Sequence, residues 1–142
     1  MQIILYNQFL LGVEPVLEQL KKDGLRLGVI SNIDPRLEGI LQQAGIRHYF
    51  EFALSSYEAG CAKPDSKIFQ IALEKYSKQA TDPTECCHVG DTFKTDCIGA
   101  TQAGWNAVLV NELPNIFVKE NLIKNVTQCK DISELHSHIV RL

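Results

Sequence analysis

The chain has 142 residues, of which 45% are hydrophobic and 22% are charged, as is typical of one soluble domain with its own core. The formal net charge is −3, and the dispersed Lys and Arg residues exclude the basic field of a nucleic-acid-binding protein. The apolar start MQIILYNQFLL is too short to span a bilayer and lacks the basic residues of a leader peptide. We therefore expect a soluble, intracellular protein with no membrane or nucleic-acid partner.

Helical and extended patterns alternate along the chain. The predicted helices cover residues 13–23, 35–43, 66–78, 95–103 and 131–142, and the predicted strands cover residues 25–30, 52–55, 86–89 and 106–110. Glycines end several of the helical patterns, and the strands are short apolar runs of the kind that are buried in parallel sheets. Residues 113–119 fit neither pattern clearly. Strands separated by helices of this length predict an α/β fold with a mainly parallel sheet.

The first residues allow two interpretations. Residues 2–6, QIILY, read as a short buried strand. Ile3, Tyr6 and Leu10 are spaced as i, i+3 and i+7, which indicates one face of a helix. We favour the helix, and the strand remains the alternative.

Polar residues follow the predicted strands at the edge where ligands bind in parallel α/β sheets. Ser31 and Asn32 come after the strand at 25–30 and are also common N-cap residues. Lys63 lies in a loop before the helix at 66–78, where a solvated lysine would be unremarkable. Asp91 and Asp96 follow the strand at 86–89 and suit the oxygen preference of Mg²⁺. His88 and Trp105 are expected to be core residues.

Three segments together carry a family resemblance. They are VISN (29–32), KPDSKIF (63–69) and HVGDTFKTDCIGATQAG (88–104), in that order. They resemble motifs II, III and IV of the haloacid dehalogenase (HAD) superfamily. The resemblance covers roughly residues 12–111 and implies a HAD-type Rossmannoid core with sheet order 3-2-1-4-5. Members of this superfamily are mainly Mg²⁺-dependent phosphatases that work through an aspartyl-phosphate.

The resemblance also implies roles for individual residues. Ser31 would hydrogen-bond the transferring phosphoryl group, with Asn32 beside it. Lys63 would neutralise the charge of that group and of the nucleophile, and is the one catalytic residue implied. Asp91 would be a direct Mg²⁺ ligand, and Asp96 either a ligand or an acceptor next to it. The substrate class implied is a small phosphorylated molecule.

The superfamily's first motif, Asp-X-Asp, is missing from the sequence. The seven aspartates include no pair two residues apart: they lie at positions 23, 34, 65, 82, 91, 96 and 131. In the superfamily the first Asp of Asp-X-Asp is the nucleophile, so covalent catalysis by this chain should be close to nil. Mg²⁺ binding should be weakened or lost. An Asp-X-Asp upstream in the natural protein would restore the enzyme interpretation.

The same absence affects the predicted architecture. We assign residues 13–142 to a HAD-like core that lacks motif I, and residues 1–12 to a remnant of the family's cap helix or to a surrogate strand. The central first strand is then absent or replaced. A gap there would leave backbone groups unpaired and would favour self-association. If residues 2–6 fill it, Asn7 would lie near the place of the nucleophile. We expect an inactive hydrolase core, and the alternative is a truncated isoform or pseudoenzyme that acts as a binding module.

Overall fold

A computed structural model describes residues 2–5, 12–77, 81–139 and 141–142. The strands of the sheet are β1 Gln2–Leu5, β2 Arg26–Ser31, β3 Phe52–Ser55, β4 Cys86–Gly90, β5 Asn106–Val110 and β6 Val126–Cys129. The α-helices are α1 Glu14–Lys22, α2 Leu37–Gln43, α3 Ser56–Ala59, α4 Ser66–Tyr76, α5 Gly99–Gln102, α6 Ile116–Lys119 and α7 Leu135–Ile139. A π-helix, Phe93–Ile98, runs directly into α5. No helix of the described part is long and apolar enough to cross a membrane.

The six strands form one parallel sheet in the order β3-β2-β1-β4-β5-β6. This order contains the predicted 3-2-1-4-5 arrangement and adds β6 at the edge. The predicted α/β fold with a parallel sheet is therefore confirmed.

The favoured helix at the N-terminus is wrong for Gln2–Leu5, which form the central strand β1. Leu5 pairs with Val29 of β2 on one side and with Val89 of β4 on the other. The strand β1 pairs with the facing backbone groups of β2 and β4, which a helix in this place would leave unpaired. The alternative that these residues form a strand matches the structure for Gln2–Leu5, and the assignment of residues 1–12 as a surrogate or a remnant stays a prediction. The predicted gap is absent, which removes the basis for self-association through it, and Asn7 lies outside the described residues.

The sheet separates two apolar layers, as its strand alternation requires. On one face, α1, α2 and α7 cover a core that includes Leu27, Val29 and Val89. On the other face, α4 and α5 cover a core built around Ile30, Phe69 and Trp105. The prediction that Trp105 is a core residue is confirmed, since it is 1% exposed.

Several predicted elements differ in detail from those observed. The expected helix at 95–103 begins two residues earlier, as the π-helix, and the ambiguous stretch 113–119 contains the short helix α6. The closing helix is shorter than predicted and follows a 3₁₀ turn, Ile132–Glu134, that the Asp131 side chain caps. The strand β6, Val126–Cys129, was not predicted from the sequence.

Candidate functional site

A buried ion pair lies at the carboxyl edge of the sheet. The Nζ atom of Lys63 is 2.7 Å from Oδ1 of Asp96, and the two side chains are 0% and 1% exposed. The same Nζ atom donates to the backbone oxygen of Ile30 at 3.1 Å. Loop 60–65 and the π-helix thus bring together two residues that lie 33 positions apart in the sequence.

His88 completes this cluster. Its Nε2 atom is 3.2 Å from Oδ1 of Asp96 and 3.4 Å from Nζ of Lys63. The side chain is fully buried, so the prediction of a core position is confirmed, but the ring also contacts the Lys63–Asp96 pair. A strand places i and i+2 on one face, so His88 shares a face with Gly90. That spacing was a readable signal for its position.

Gly90 and Thr92 hold Asp96 in place. A Cβ atom on Gly90 would lie 2.3 Å from Cγ of Asp96, so only glycine leaves room for the carboxylate. The backbone N–H of Thr92 donates to Oδ2 of Asp96 at 3.0 Å. Both carboxylate oxygens therefore already accept hydrogen bonds from the protein.

Asn32 clamps the backbone of Lys63. Its Nδ2 atom donates to the carbonyl oxygen of Lys63 at 2.8 Å, and its Oδ1 atom accepts from the N–H of Lys63 at 2.8 Å. Ser31, the last residue of β2, is 1% exposed and lies next to this clamp in the sequence. The predicted contacts of Ser31 and Asn32 with a phosphoryl group stay predictions.

Asp91 lies one residue beyond β4 and is half-buried. Its Oδ1 atom accepts from the Thr92 hydroxyl at 3.1 Å, and its carbonyl oxygen accepts from Nδ2 of Asn111 at 3.4 Å. The negative charge of Asp91 acts to raise the pKa of Lys63, against the larger effect of burial.

Burial and charge act in opposite directions on the ion pair. Burial lowers the pKa of Lys63, and the charges of Asp96 and Asp91 only partly oppose that shift. Burial raises the pKa of Asp96, but its contacts with His88 and then with Lys63 outweigh burial and hold that pKa well below its ordinary value. Asp96 is therefore ionised at neutral pH.

The donor set fits Mg²⁺ through Asp91 better than through Asp96. The described residues contain no group of three or more His, Cys, Asp or Glu side chains that could enclose a metal ion. Mg²⁺ does not need such a cage, because it usually keeps several waters and binds one or two carboxylates plus phosphate oxygens. Asp91 is half-buried and could supply one such ligand, whereas Asp96 is turned toward Lys63.

Comparison with known proteins places the chain in a family. The model of the haloacid dehalogenase-like hydrolases matches residues 2–104. The chain belongs to the haloacid dehalogenase-like hydrolase family. The match includes β1 and all three motif segments, so the predicted membership is confirmed.

Two curated proteins are similar to this chain in sequence over most of its length. Human haloacid dehalogenase-like hydrolase domain-containing protein 3 is 45% identical over 103 residues, which are 72% of this chain and 40% of that protein. Glyceraldehyde 3-phosphate phosphatase from Methanothermobacter thermautotrophicus is 39% identical over 120 residues, which are 82% of this chain and 52% of that protein. The chain thus spans between two fifths and about half of these relatives.

Solved structures share the fold. A 2-haloacid dehalogenase from Pseudomonas syringae is 32% identical with a TM-score of 0.69, and the match covers 91% of this chain and 52% of that one. The HAD hydrolase YfnB from Bacillus subtilis, which was solved with bound magnesium, has a TM-score of 0.77 at 20% identity. That match covers 92% of this chain and 55% of YfnB and shows likeness of fold alone.

Proposed function

We propose that this chain carries the phosphate- and Mg²⁺-binding half of a HAD phosphatase site and binds small phosphorylated molecules without turning them over. The observation that supports this most strongly is the buried Lys63–Asp96 pair at the carboxyl edge of the sheet, beside Asp91. Taking the opposite charges of Lys63 and Asp96 out of water is costly. In a family of hydrolases this arrangement is best explained as a site for an anion together with a cation.

Each residue has a distinct role in the proposal. The Lys63 ammonium neutralises the charge of the phosphoryl oxygens, and the Ser31 hydroxyl orients them by a hydrogen bond. Asn32 fixes the backbone that carries Lys63. Asp91 is the Mg²⁺ ligand of the site. Asp96 is the counter-ion of Lys63 and not a direct ligand, because its oxygens already accept from Lys63, His88 and Thr92. Bound Mg²⁺ would supply positive charge to the phosphate.

The absence of turnover follows from chemistry. An aspartyl-phosphate needs a carboxylate nucleophile at the end of the central strand, and the 142 residues contain no Asp-X-Asp. Ser31 and Asp91 each lie two residues beyond the partners of Leu5 in the neighbouring strands. At the same distance from Leu5 the sequence has Asn7, whose amide cannot act as that nucleophile. Positioning and charge neutralisation remain, and these favour binding alone.

The substrate class is inferred from the family. One relative is a phosphatase of a three-carbon sugar phosphate by its name. We propose that this chain takes the same broad class, small phosphate monoesters. We also propose that the chain acts as a binding module, because a site that binds phosphate and lacks a nucleophile binds its ligand without hydrolysing it.

Calorimetry with inorganic phosphate tests this proposal on the full chain. We expect binding that strengthens with Mg²⁺ in the wild type. Lys63→Met should abolish phosphate binding, and Asp91→Asn should remove the Mg²⁺ effect. Lys67→Met is a matched control, because Lys67 is an exposed lysine on α4 and should change nothing. Phosphate binding that persists unchanged in Lys63→Met would contradict the proposed site.

A further inference from the structure

We propose that His88 is a positioning residue that donates from Nε2 to Oδ1 of Asp96 and so fixes the direction in which Lys63 presents its ammonium group. The inference deepens the phosphate site proposed above and rests on it. It concerns the first residue of the third motif segment, to which the family resemblance assigns no role.

The contacts determine which atom donates. An ionised carboxylate only accepts hydrogen bonds, so the 3.2 Å contact between Nε2 of His88 and Oδ1 of Asp96 requires a hydrogen on Nε2. Lys63 also carries only donors, and its Nζ atom lies 2.7 Å from the same oxygen. Two donors therefore converge on Oδ1, and their 3.4 Å separation reflects this shared acceptor.

The ring of His88 is held rigidly enough to act as a reference point. It lies on β4, an interior strand whose backbone pairs with β1 and β5 on either side. The ring centroids of His88 and Phe69 are 5.1 Å apart and the two rings are inclined by 81° in a T-shaped contact. Phe69 in turn packs against Trp105, with ring centroids 5.3 Å apart and an angle of 71° between the rings. Such aromatic contacts restrict rotation of the imidazole.

Asp96 connects the fixed ring of His88 to the Lys63 side chain, because both residues contact its Oδ1 atom. The carboxylate is bound on both oxygens, by His88 and Lys63 at Oδ1 and by the N–H of Thr92 at Oδ2. Removing the His88 donor would free one side of Oδ1 and let the carboxylate rotate about χ2. The Lys63 side chain, which is long and has many rotamers, would then lose its fixed direction. Catalytic and binding groups need such support to hold their geometry.

A purely structural role makes a different prediction. If His88 only filled space, any apolar ring of similar size should serve, and phenylalanine would keep the packing against Phe69. If the donor matters, glutamine should serve better than phenylalanine, because its Nε2 atom can reach the place of the histidine Nε2. The two substitutions therefore separate filling from hydrogen bonding.

The test compares three variants of the full chain. We expect His88→Phe to weaken inorganic phosphate binding by about 10- to 100-fold, the loss typical of one charge-assisted hydrogen bond. His88→Gln should stay within about threefold of wild type. Cys87→Ala is the matched control, since Cys87 is equally buried on the same strand but contributes to the opposite face. If His88→Phe binds phosphate as well as wild type, or if His88→Gln is as weak as His88→Phe, the proposal is wrong.

A spectroscopic readout separates this proposal from the proposed function. A buried ammonium that is held by acceptors exchanges its protons slowly, so Lys63 should give a side-chain ¹H–¹⁵N signal that the Lys63→Met variant identifies. We expect this signal to persist in His88→Gln and to shift or vanish in His88→Phe, whether or not phosphate binds. Absent phosphate binding in the wild type overturns the proposed function, while this signal still decides the role of His88.

His88→Asn provides a second comparison in case the phenylalanine ring prevents folding. Its amide reaches only the place of Nδ1, so it keeps a polar side chain but loses the contact with Asp96. We expect the Lys63 signal to be lost in His88→Asn and kept in His88→Gln. The same signal in both variants would overturn the positioning role.

Discussion

Separating the two charges of the Lys63–Asp96 pair should destabilise the protein far more than removing both. The side chains are 0% and 1% exposed and 2.7 Å apart. Lys63→Met leaves a buried carboxylate, and Asp96→Leu leaves a buried ammonium. Each should lower the free energy of unfolding by about 3–5 kcal/mol, the usual result of breaking a buried pair. The double variant should lie within about 1 kcal/mol of wild type or above it, because it buries no charge.

Urea unfolding measures this coupling directly. Trp105 is the single tryptophan and is buried, so its fluorescence reports unfolding. The two single losses add to roughly 6–10 kcal/mol, so a near-neutral double variant implies a coupling energy of about 5 kcal/mol or more. Single effects that add to within about 0.5 kcal/mol in the double variant would refute the argument, since that is the behaviour of independent sites.

The pair should also give the stability a defined dependence on pH. The pKa of Asp96 is lowered in the folded chain, so its contribution is complete above the unfolded value of about 3.9 and is lost as pH falls further. The pKa of Lys63 is also lowered, so burying its charge costs stability below that pKa, and the cost falls as pH rises toward about 10.4. Asp96→Leu should therefore flatten the acid limb of the stability curve, and an unchanged limb would contradict the assignment.

Three further substitutions test packing and thiol access. Gly90→Ala should lower the free energy of unfolding by about 1–3 kcal/mol, because its Cβ would overlap Asp96; in Gly39→Ala, where the Cβ meets nothing within 4 Å, urea unfolding should show little change or a small gain. Cys61 is half-buried while the other four cysteines are buried, so an aromatic disulfide reagent at pH 8 should modify one thiol per native chain. Cys61→Ser should remove that reaction, and a remaining fast thiol would show that a buried cysteine is accessible.

Local pattern was sufficient for most of the sheet and for part of the site. The short apolar runs that became β2, β4 and β5 were readable because each is bounded by turn residues and is buried on both faces. Lys63 and Asp96 were placed at the carboxyl edge by strand order alone, and the structure brings them together.

The strand β1 was misread because its helical and extended patterns overlap within a few residues. Ile3 fits both periods, and what decides between them is pairing with β2 and β4, which lie 24 and 84 positions away by register. Non-local pairing of this kind leaves no mark in a short window. The edge strand β6, Val126–Cys129, was missed for a related reason, since its two middle residues are polar and only half-buried.

The role of His88 was also beyond local pattern. Alternation along β4 places it on the face of Gly90, but nothing nearby in the sequence says that Asp96 returns to that face. The return depends on the π-helix and on the missing Cβ of Gly90, which together let the carboxylate approach the strand. A polar cluster assembled from a strand, a loop and a helix becomes visible only in three dimensions.

Hydrolysis of an aryl phosphate in the presence of Mg²⁺ tests the central claim most directly. The measurement compares this chain with Asp91→Ala and with a protein-free control. We predict no release of the aryl alcohol above the control by either protein, because neither sequence contains the Asp-X-Asp that would supply the nucleophile of the aspartyl-phosphate. Turnover by the chain that disappears in Asp91→Ala would contradict the claim and show that these 142 residues contain a complete catalytic site.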